Sequence, residues 1–396
     1  MNYYLGYNQG IDLTNIYILS AASITGFISF HLAYSYNKKI ESSIISLKTR
    51  ANDYNISLLQ KILTLLLLIA ILIEIYFFMQ NGISSYFLVT RSDRTLIVND
   101  SGFSTIFSEL FFLVYILSLV FMSVKKTKTL KILFIVSLVN LIIYQLLIID
   151  RSGFLKIVLP LMFFLILDKK IKNKTMVLVS LCLFVFLSYF KSIMSSLIFK
   201  VDIPLEKFRF NSEFEVWYGI GSTILDGLKT NSISYLYGES YLNAAYNLVI
   251  PFNSTEPLSI WYVKNFYPEI YLKGGGMAFS SITEAILNLG IIFVPVHFMM
   301  LGFLCRYIDS KKFNNLFYLS MYAFLFTVMY KFFRSEVYSL VKTSWWFYVL
   351  PILFIFIVIS QKKVEVRKKN EKNFIYSSKV SYKSDSDSQS SKKREV

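Results

Sequence analysis

The stretch GGGMAFSSITEAILNLG, from Gly274 to Gly290, places Ser280, Glu284 and Asn288 four residues apart along an apolar run. At that spacing the three side chains share one face of a helix. A carboxylate set between a hydroxyl and an amide can take a proton from a substrate hydroxyl as a general base, or it can anchor a cation in an ion pair. The preceding glycines, Gly274, Gly275 and Gly276, let the backbone come close to a ligand. Cations that could answer the carboxylate are Arg151 and Lys156, at the head of another apolar run, and Arg334, two residues before Glu336. These groups can act together only if the fold collects them on one side.

The elements that must position them are apolar helices. Of the 396 residues, 55% are hydrophobic and 17% charged, with a mean hydropathy of +0.52, well outside the range of soluble domains. Runs of roughly 20 apolar residues, enough to cross a hydrocarbon core of about 30 Å, recur along the chain. The sequence predicts an all-α, polytopic membrane domain over residues 1–360. Its nine or more membrane helices centre on Asn15 to Tyr36, Ser57 to Met79, Ile106 to Val124, Ile132 to Ile149, Phe154 to Leu167, Met176 to Phe190, Ala278 to Leu304, Leu316 to Tyr330 and Ser344 to Ile359. Pro160 is expected to bend the short fifth segment.

Lysine and arginine fall in alternate connections: Lys38, Lys39, Lys48 and Arg50 after the first segment, Lys125, Lys126 and Lys128 after the third, Lys169 to Lys174 after the fifth, and Arg306, Lys311 and Lys312 after the seventh. Such residues stay on the cytoplasmic side, so the N-terminus is expected outside and the C-terminus inside. In such an orientation Arg151, Lys156, Glu284 and Arg334 all lie at exterior depth. An ionisable group at that depth in a membrane helix is costly unless it faces a polar cavity.

The tail, residues 361–396, is basic and then Ser- and Asp-rich, and is expected to lie in the cytoplasm without fixed structure. Much of the +16 net charge sits there and in the cytoplasmic connections. That pattern suits anionic membrane lipids and topology rather than nucleic acid. Asp385 and Asp387 fall in a low-complexity stretch and are not read as a site. Cys182 and Cys305 lie in apolar runs, and no His, Cys and carboxylate cluster has metal spacing, so neither a disulfide framework nor a metal or other cofactor is expected.

The connection from Lys191 to Gly276 stands apart. It is dense in aromatics, including Tyr241 and Trp261, whose rings suit sugar faces and membrane interfaces equally. Within it, SISYLYGESYLNAAYNLVIPF reads as an amphipathic helix ending before Pro251.

The residues here resemble a known family. LYGESYLNAAYNLVIPF, followed by EPLSIWYVKNFYPEIYLKGGGMAFSSITEAILNLGIIFVPVHFMMLGFLCRYID, is similar to the corresponding stretch of Wzy-type O-antigen and capsule repeat-unit polymerases. These show a Gly and Tyr before a helix ending in Ile-Pro, a Gly-rich turn, and a membrane helix with an early Glu and an Asn-aliphatic-Gly. IIDRSGFLKIVLPLMFF resembles the family's Arg-small-Gly entry into a helix, and KFFRSEVYSLV its Arg-Gly-acid turn. Phe252 stands where many relatives have Arg, and Ser335 where they often have Gly. Arg91 and Gly102 reproduce an Arg-ten-residue-Gly spacing proposed for some relatives, although with fifteen glycines a chance match is common.

The resemblance implies a GT-C-like membrane glycosyltransferase of the bacterial cytoplasmic membrane, with its active site facing outward. It would move a growing glycan from undecaprenyl diphosphate to the non-reducing end of another lipid-linked repeat unit, without a nucleotide sugar. A chain-length regulator and a flippase are implied as partners. Such a transfer needs cations on the diphosphate and a base near the acceptor hydroxyl. Arg151 and Arg334, whose planar forks match phosphate oxygens, and Lys156, a point charge, are the cationic candidates. Glu284 is the candidate base, oriented by Ser280 and Asn288. Glu336, Gly238, Tyr241, Trp261, Arg91 and the three glycines are expected around the substrate. Two other classes are open. O-antigen ligases rely on a histidine in their large exterior loop, and residues 191–276 contain none. A lipid-linked oligosaccharide flippase would usually show more spans and pseudo-repeats.

Overall fold

A computed structural model describes residues 12–36, 54–82, 103–148, 151–167, 212–250, 255–272 and 277–360, with scattered positions between 174 and 189. Every regular element among them is helical. In chain order these are α1 (Leu13–Ser35), α2 (Ile56–Asn81), α3 (Phe103–Val124), α4 (Lys128–Ile148), α5 (Arg151–Leu167), α6 (Ser212–Lys229), α7 (Glu239–Val249), α8 (Leu258–Phe266), α9 (Pro268–Leu272), α10 (Ser281–Leu289), α11 (Phe293–Lys311), α12 (Leu316–Val328) and α13 (Val337–Ser344).

Side-chain caps start several of them. Asp12 accepts the Thr14 N–H at 3.0 Å, Asn55 that of Leu58 at 3.0 Å and Asn315 that of Tyr318 at 2.9 Å. Each satisfies a donor that the first turn leaves open. Five described helical stretches are long and apolar enough to cross a membrane: Leu13–Ser35, Ile56–Gln80, Ile106–Val124, Lys128–Leu146 and Val337–Ser360. The last runs from α13 through a π-helical turn at Trp345–Val349. Gly153–Leu165 and Leu316–Lys331 are shorter apolar helices.

The segment expected as one run from Ala278 to Leu304 is two helices. Gly290 takes φ 82° and closes α10, its N–H bonding to Ile286 at 2.8 Å. Positive φ costs glycine little, so the Asn-Leu-Gly sequence ends the helix there. At nine residues, α10 is only about 14 Å long. The expected sixth segment lies largely outside the described residues, as do the tail and residues 190–211.

The core centres on α3, where Phe107, Phe111, Phe112, Tyr115 and Phe121 are wholly enclosed. By contrast α1 and α2 turn Ile24, Phe27, Leu32, Leu65, Leu68 and Leu72 outward. Exposed aliphatic stripes of this kind suit lipid, in which burying apolar surface gains little. Glycines bring α1 and α11 together: Gly26 faces Phe298, and Gly302 faces the Phe30 carbonyl. A smaller apolar cluster joins Ile220 and Ile224 of α6, Leu258, Tyr262 and Val263 of α8, Phe279, and Leu287 of α10. The described helices α6 and α8 of the 191–276 connection are thereby packed onto α10.

Candidate functional site

Glu284 sits in the first turn of α10, whose N-terminus is capped by Ser280 accepting the Thr283 N–H at 3.1 Å. Its side chain is fully enclosed, at 0% exposure. One carboxylate oxygen accepts the Ser240 hydroxyl at 2.7 Å and the other the backbone N–H of Val337 at 2.6 Å. Val337 is the first residue of α13, so a carboxylate borrowed from α10 satisfies an open donor at that helix's positive end. Asn288, one turn on and likewise at 0% exposure, donates to Ser240 Oγ at 2.7 Å and to the Glu284 carbonyl at 2.8 Å.

Local backbone geometry delivers Ser240 to this point. Tyr237 and Gly238 take φ 48° and 92°, turning an extended strip into α7. The strip is held by Leu236 N–H to Leu287 O and Tyr237 N–H to Asn288 O, both 3.0 Å. Gly238 therefore has a conformational task in addition to any contact with a ligand.

Glu336 makes a parallel arrangement. It is 2% exposed; one oxygen accepts the Ser259 N–H at 3.1 Å, and the other accepts the hydroxyls of Ser259 at 2.7 Å and Ser339 at 2.8 Å. Ser259 lies in the first turn of α8, which has no side-chain cap of its own. Ser281 Oγ bonds to the Phe332 carbonyl. Arg334, half-buried, lies between these attachment points.

Tyr241, next to Ser240, shares a 3.3 Å hydrogen bond with Nδ1 of His297, and the two rings stack at 5.7 Å. Burial, and then the Glu284 carboxylate, push the Tyr241 phenol well above its ordinary value, so it keeps its proton. His297 Nε2 and Asn288 Oδ1 are buried polar atoms without a partner among the described residues. They leave hydrogen-bonding capacity beside the Glu284 network.

Apolar membrane helices thus meet a knot of carboxylates, hydroxyls and an arginine-bearing turn, an arrangement suited to a polar, hydroxyl-rich ligand. Residues 1–363 match the family model described as O-antigen polysaccharide polymerase Wzy. The chain belongs to the Wzy O-antigen polymerase family. It is an O-antigen repeat-unit polymerase, a multi-pass membrane protein of polysaccharide biosynthesis. No curated protein and no solved structure matches it.

The Wzy match takes in every candidate residue, but the fold distributes them unevenly. Glu284, Asn288, Ser280, Glu336, Arg334, Gly238 and Tyr241 gather around α10 and the α12–α13 turn. Lys156 lies elsewhere: it is ion-paired with Glu109 of α3 and sits over the rings of Phe112 at 4.5 Å and Tyr348 at 5.2 Å. Arg151 is the first residue of α5. Two residues later, a Cβ at Gly153 would lie 1.8 Å from Gln145 Oε1, which gives the Arg-Ser-Gly sequence a packing reason. Trp261 is half-buried against Phe266, with ring centroids 6.1 Å apart. Arg91 and Gly274, Gly275 and Gly276 lie outside the described residues. Sequence reasoning missed Ser240, Ser259, Ser281, Glu109 and His297. Serines abound in this chain, and nothing local separates these from the others.

Proposed function

We propose that this Wzy polymerase transfers a growing glycan from undecaprenyl diphosphate to the non-reducing-end sugar of a second lipid-linked repeat unit, at the outer face of the bacterial cytoplasmic membrane. The observation that carries this reading is the family match over residues 1–363, taken with the gathering of Glu284, Glu336 and Arg334 at one junction of apolar helices. In the reaction, the bond between the sugar's anomeric carbon and the diphosphate oxygen breaks, and the acceptor hydroxyl forms the new glycosidic bond. Undecaprenyl diphosphate leaves with the electron pair.

Arg334 and Arg151 are proposed to hold the diphosphate, because a guanidinium fork engages two phosphate oxygens and stabilises charge as it develops. Glu284 is proposed to receive the acceptor proton. The Ser240 hydroxyl on its first oxygen shows that this oxygen takes an O–H donor, and an acceptor hydroxyl would exchange with it. Lys156, already balanced by Glu109, is proposed to support α5 behind Arg151.

The test uses purified protein in lipid nanodiscs with undecaprenyl-diphosphate-linked repeat units as both donor and acceptor. A ladder of lengthening lipid-linked products with release of undecaprenyl diphosphate is expected. Transfer only to a non-repeat acceptor would favour a ligase, and movement of the lipid across the bilayer without product would favour a flippase. The Glu284→Gln variant addresses the base: retained donor binding with lost turnover supports the role, and normal turnover per folded molecule removes it.

A further inference from the structure

The turn between α12 and α13 carries Arg334 on very little of its own structure. Phe332 N–H bonds to Met329 O at 3.1 Å, and the N–H groups of Arg334 and Ser335 to Lys331 O at 3.0 and 2.8 Å. Its place relative to the other helices comes from Phe333, which stacks on Phe298 at 4.6 Å and packs against Phe27 and Phe30, and from three side chains that hydrogen-bond to it. Ser281 of α10 holds the Phe332 carbonyl, two residues before Arg334. Ser259 of α8 holds the Glu336 carboxylate through its hydroxyl and its N–H, two residues after. Glu284 holds the Val337 N–H, three residues after.

Ser281 is fully enclosed, so the carbonyl that it engages has no water to turn to. Removing such a hydroxyl leaves a buried acceptor unpaired and lets the turn shift. Ser259 carries a different consequence. It belongs to the 191–276 connection, so that connection supplies one of the holds on the turn.

We infer that Ser259 and Ser281 are positioning residues for Arg334, latching its turn to α8 and α10 so that donor binding and docking of the connection are coupled. This rests on the polymerase reading, in which Arg334 meets the diphosphate of the donor. Neither serine touches the reacting atoms. They act by fixing the origin of a long side chain whose fork must meet two oxygens at once, where a displacement of about 1 Å is already costly.

The experiment compares Ser259→Ala, Ser281→Ala, Arg334→Lys and the two Ala/Lys double variants, as full-length protein in nanodiscs with lipid-linked repeat units. Each serine variant should raise the donor KM about tenfold, the usual scale for one lost hydrogen bond to a buried or charged partner. The kcat should change by less than about threefold, because the reacting groups are intact. Adding Arg334→Lys should cost less than the product of the single effects, since both changes act on one contact. Ser259→Thr, which keeps the hydroxyl, should restore the donor KM. A lowered unfolding temperature with donor KM unchanged, or effects that multiply fully with Arg334→Lys, would overturn the inference.

A wild-type enzyme that makes no polymer would overturn the polymerase reading instead. Hydrogen exchange at the Arg334 to Val337 amides decides the latch without turnover. Faster exchange in both serine variants supports it, and unchanged exchange sinks it.

Discussion

Lys229 donates its ammonium to the side-chain carbonyl of Asn15 at 2.6 Å, joining α6 to the start of α1. The Asn15 amide then donates to Ser222 Oγ at 2.9 Å and to Asp226 Oδ1 at 2.7 Å. One fully enclosed side chain therefore carries three partners from α6 and ties the 191–276 connection to the first helix. Asn15→Leu keeps the volume and removes all three. Lys229 and Asp226 are about half exposed and can turn to water, whereas Ser222 is buried. The expected loss is about 1–3 kcal/mol, read as a lowered unfolding midpoint in detergent, with Asp226→Asn costing less.

Gly302 meets the backbone of α1: an added Cβ would lie 2.5 Å from the Phe30 carbonyl oxygen and 2.9 Å from Ala33 Cβ. Backbone cannot swing aside as a side chain can. Gly302→Ala should force α1 and α11 apart and destabilise the protein by about 1–3 kcal/mol. For Gly26→Ala the nearest atoms belong to the Phe298 and Val294 side chains, which can give way, so it should cost less. Thermal unfolding of the two purified variants, measured side by side, checks the order. Equal midpoints would mean that the two helices do not pack this closely.

Replacing Arg151 or Arg334 by Lys keeps the charge and removes the planar fork. If both hold the diphosphate, each change should lower kcat/KM by about ten- to a hundredfold, the worth of a charge-assisted bond. The measurement is product length and initial rate, normalised to folded protein. Normal-length polymer from both variants would remove bidentate contact from the mechanism.

From the alternation of lysine and arginine we propose that the 191–276 connection lies outside the cell. A cysteine at Ser212, in a background lacking Cys182 and Cys305, should react with an impermeant maleimide in intact cells. One at Lys170 should react only after permeabilisation. The reverse pattern would invert the orientation and move the proposed chemistry to the cytoplasmic side.

What the sequence alone determined is whatever a single helix expresses along itself. Long aliphatic runs define the helices because apolar length needs no distant partner, and the caps that the structure shows at Asp12, Asn55 and Asn315 are equally local. The family, too, could be read from its motifs, and the shared face of Glu284 and Asn288 follows from a spacing of four. Tertiary structure decided everything that crosses between helices. It made Glu284 a partner of Ser240 and Val337, gave Lys156 to Glu109, and set Ser259 and Ser281 against the turn that bears Arg334. It also ended α10 at Gly290, where an unbroken run had been expected. The reason is that a buried polar group must find a partner wherever packing brings one, and the chain separations involved, 44, 53 and 47 residues for the first three pairs, carry no local periodicity to read.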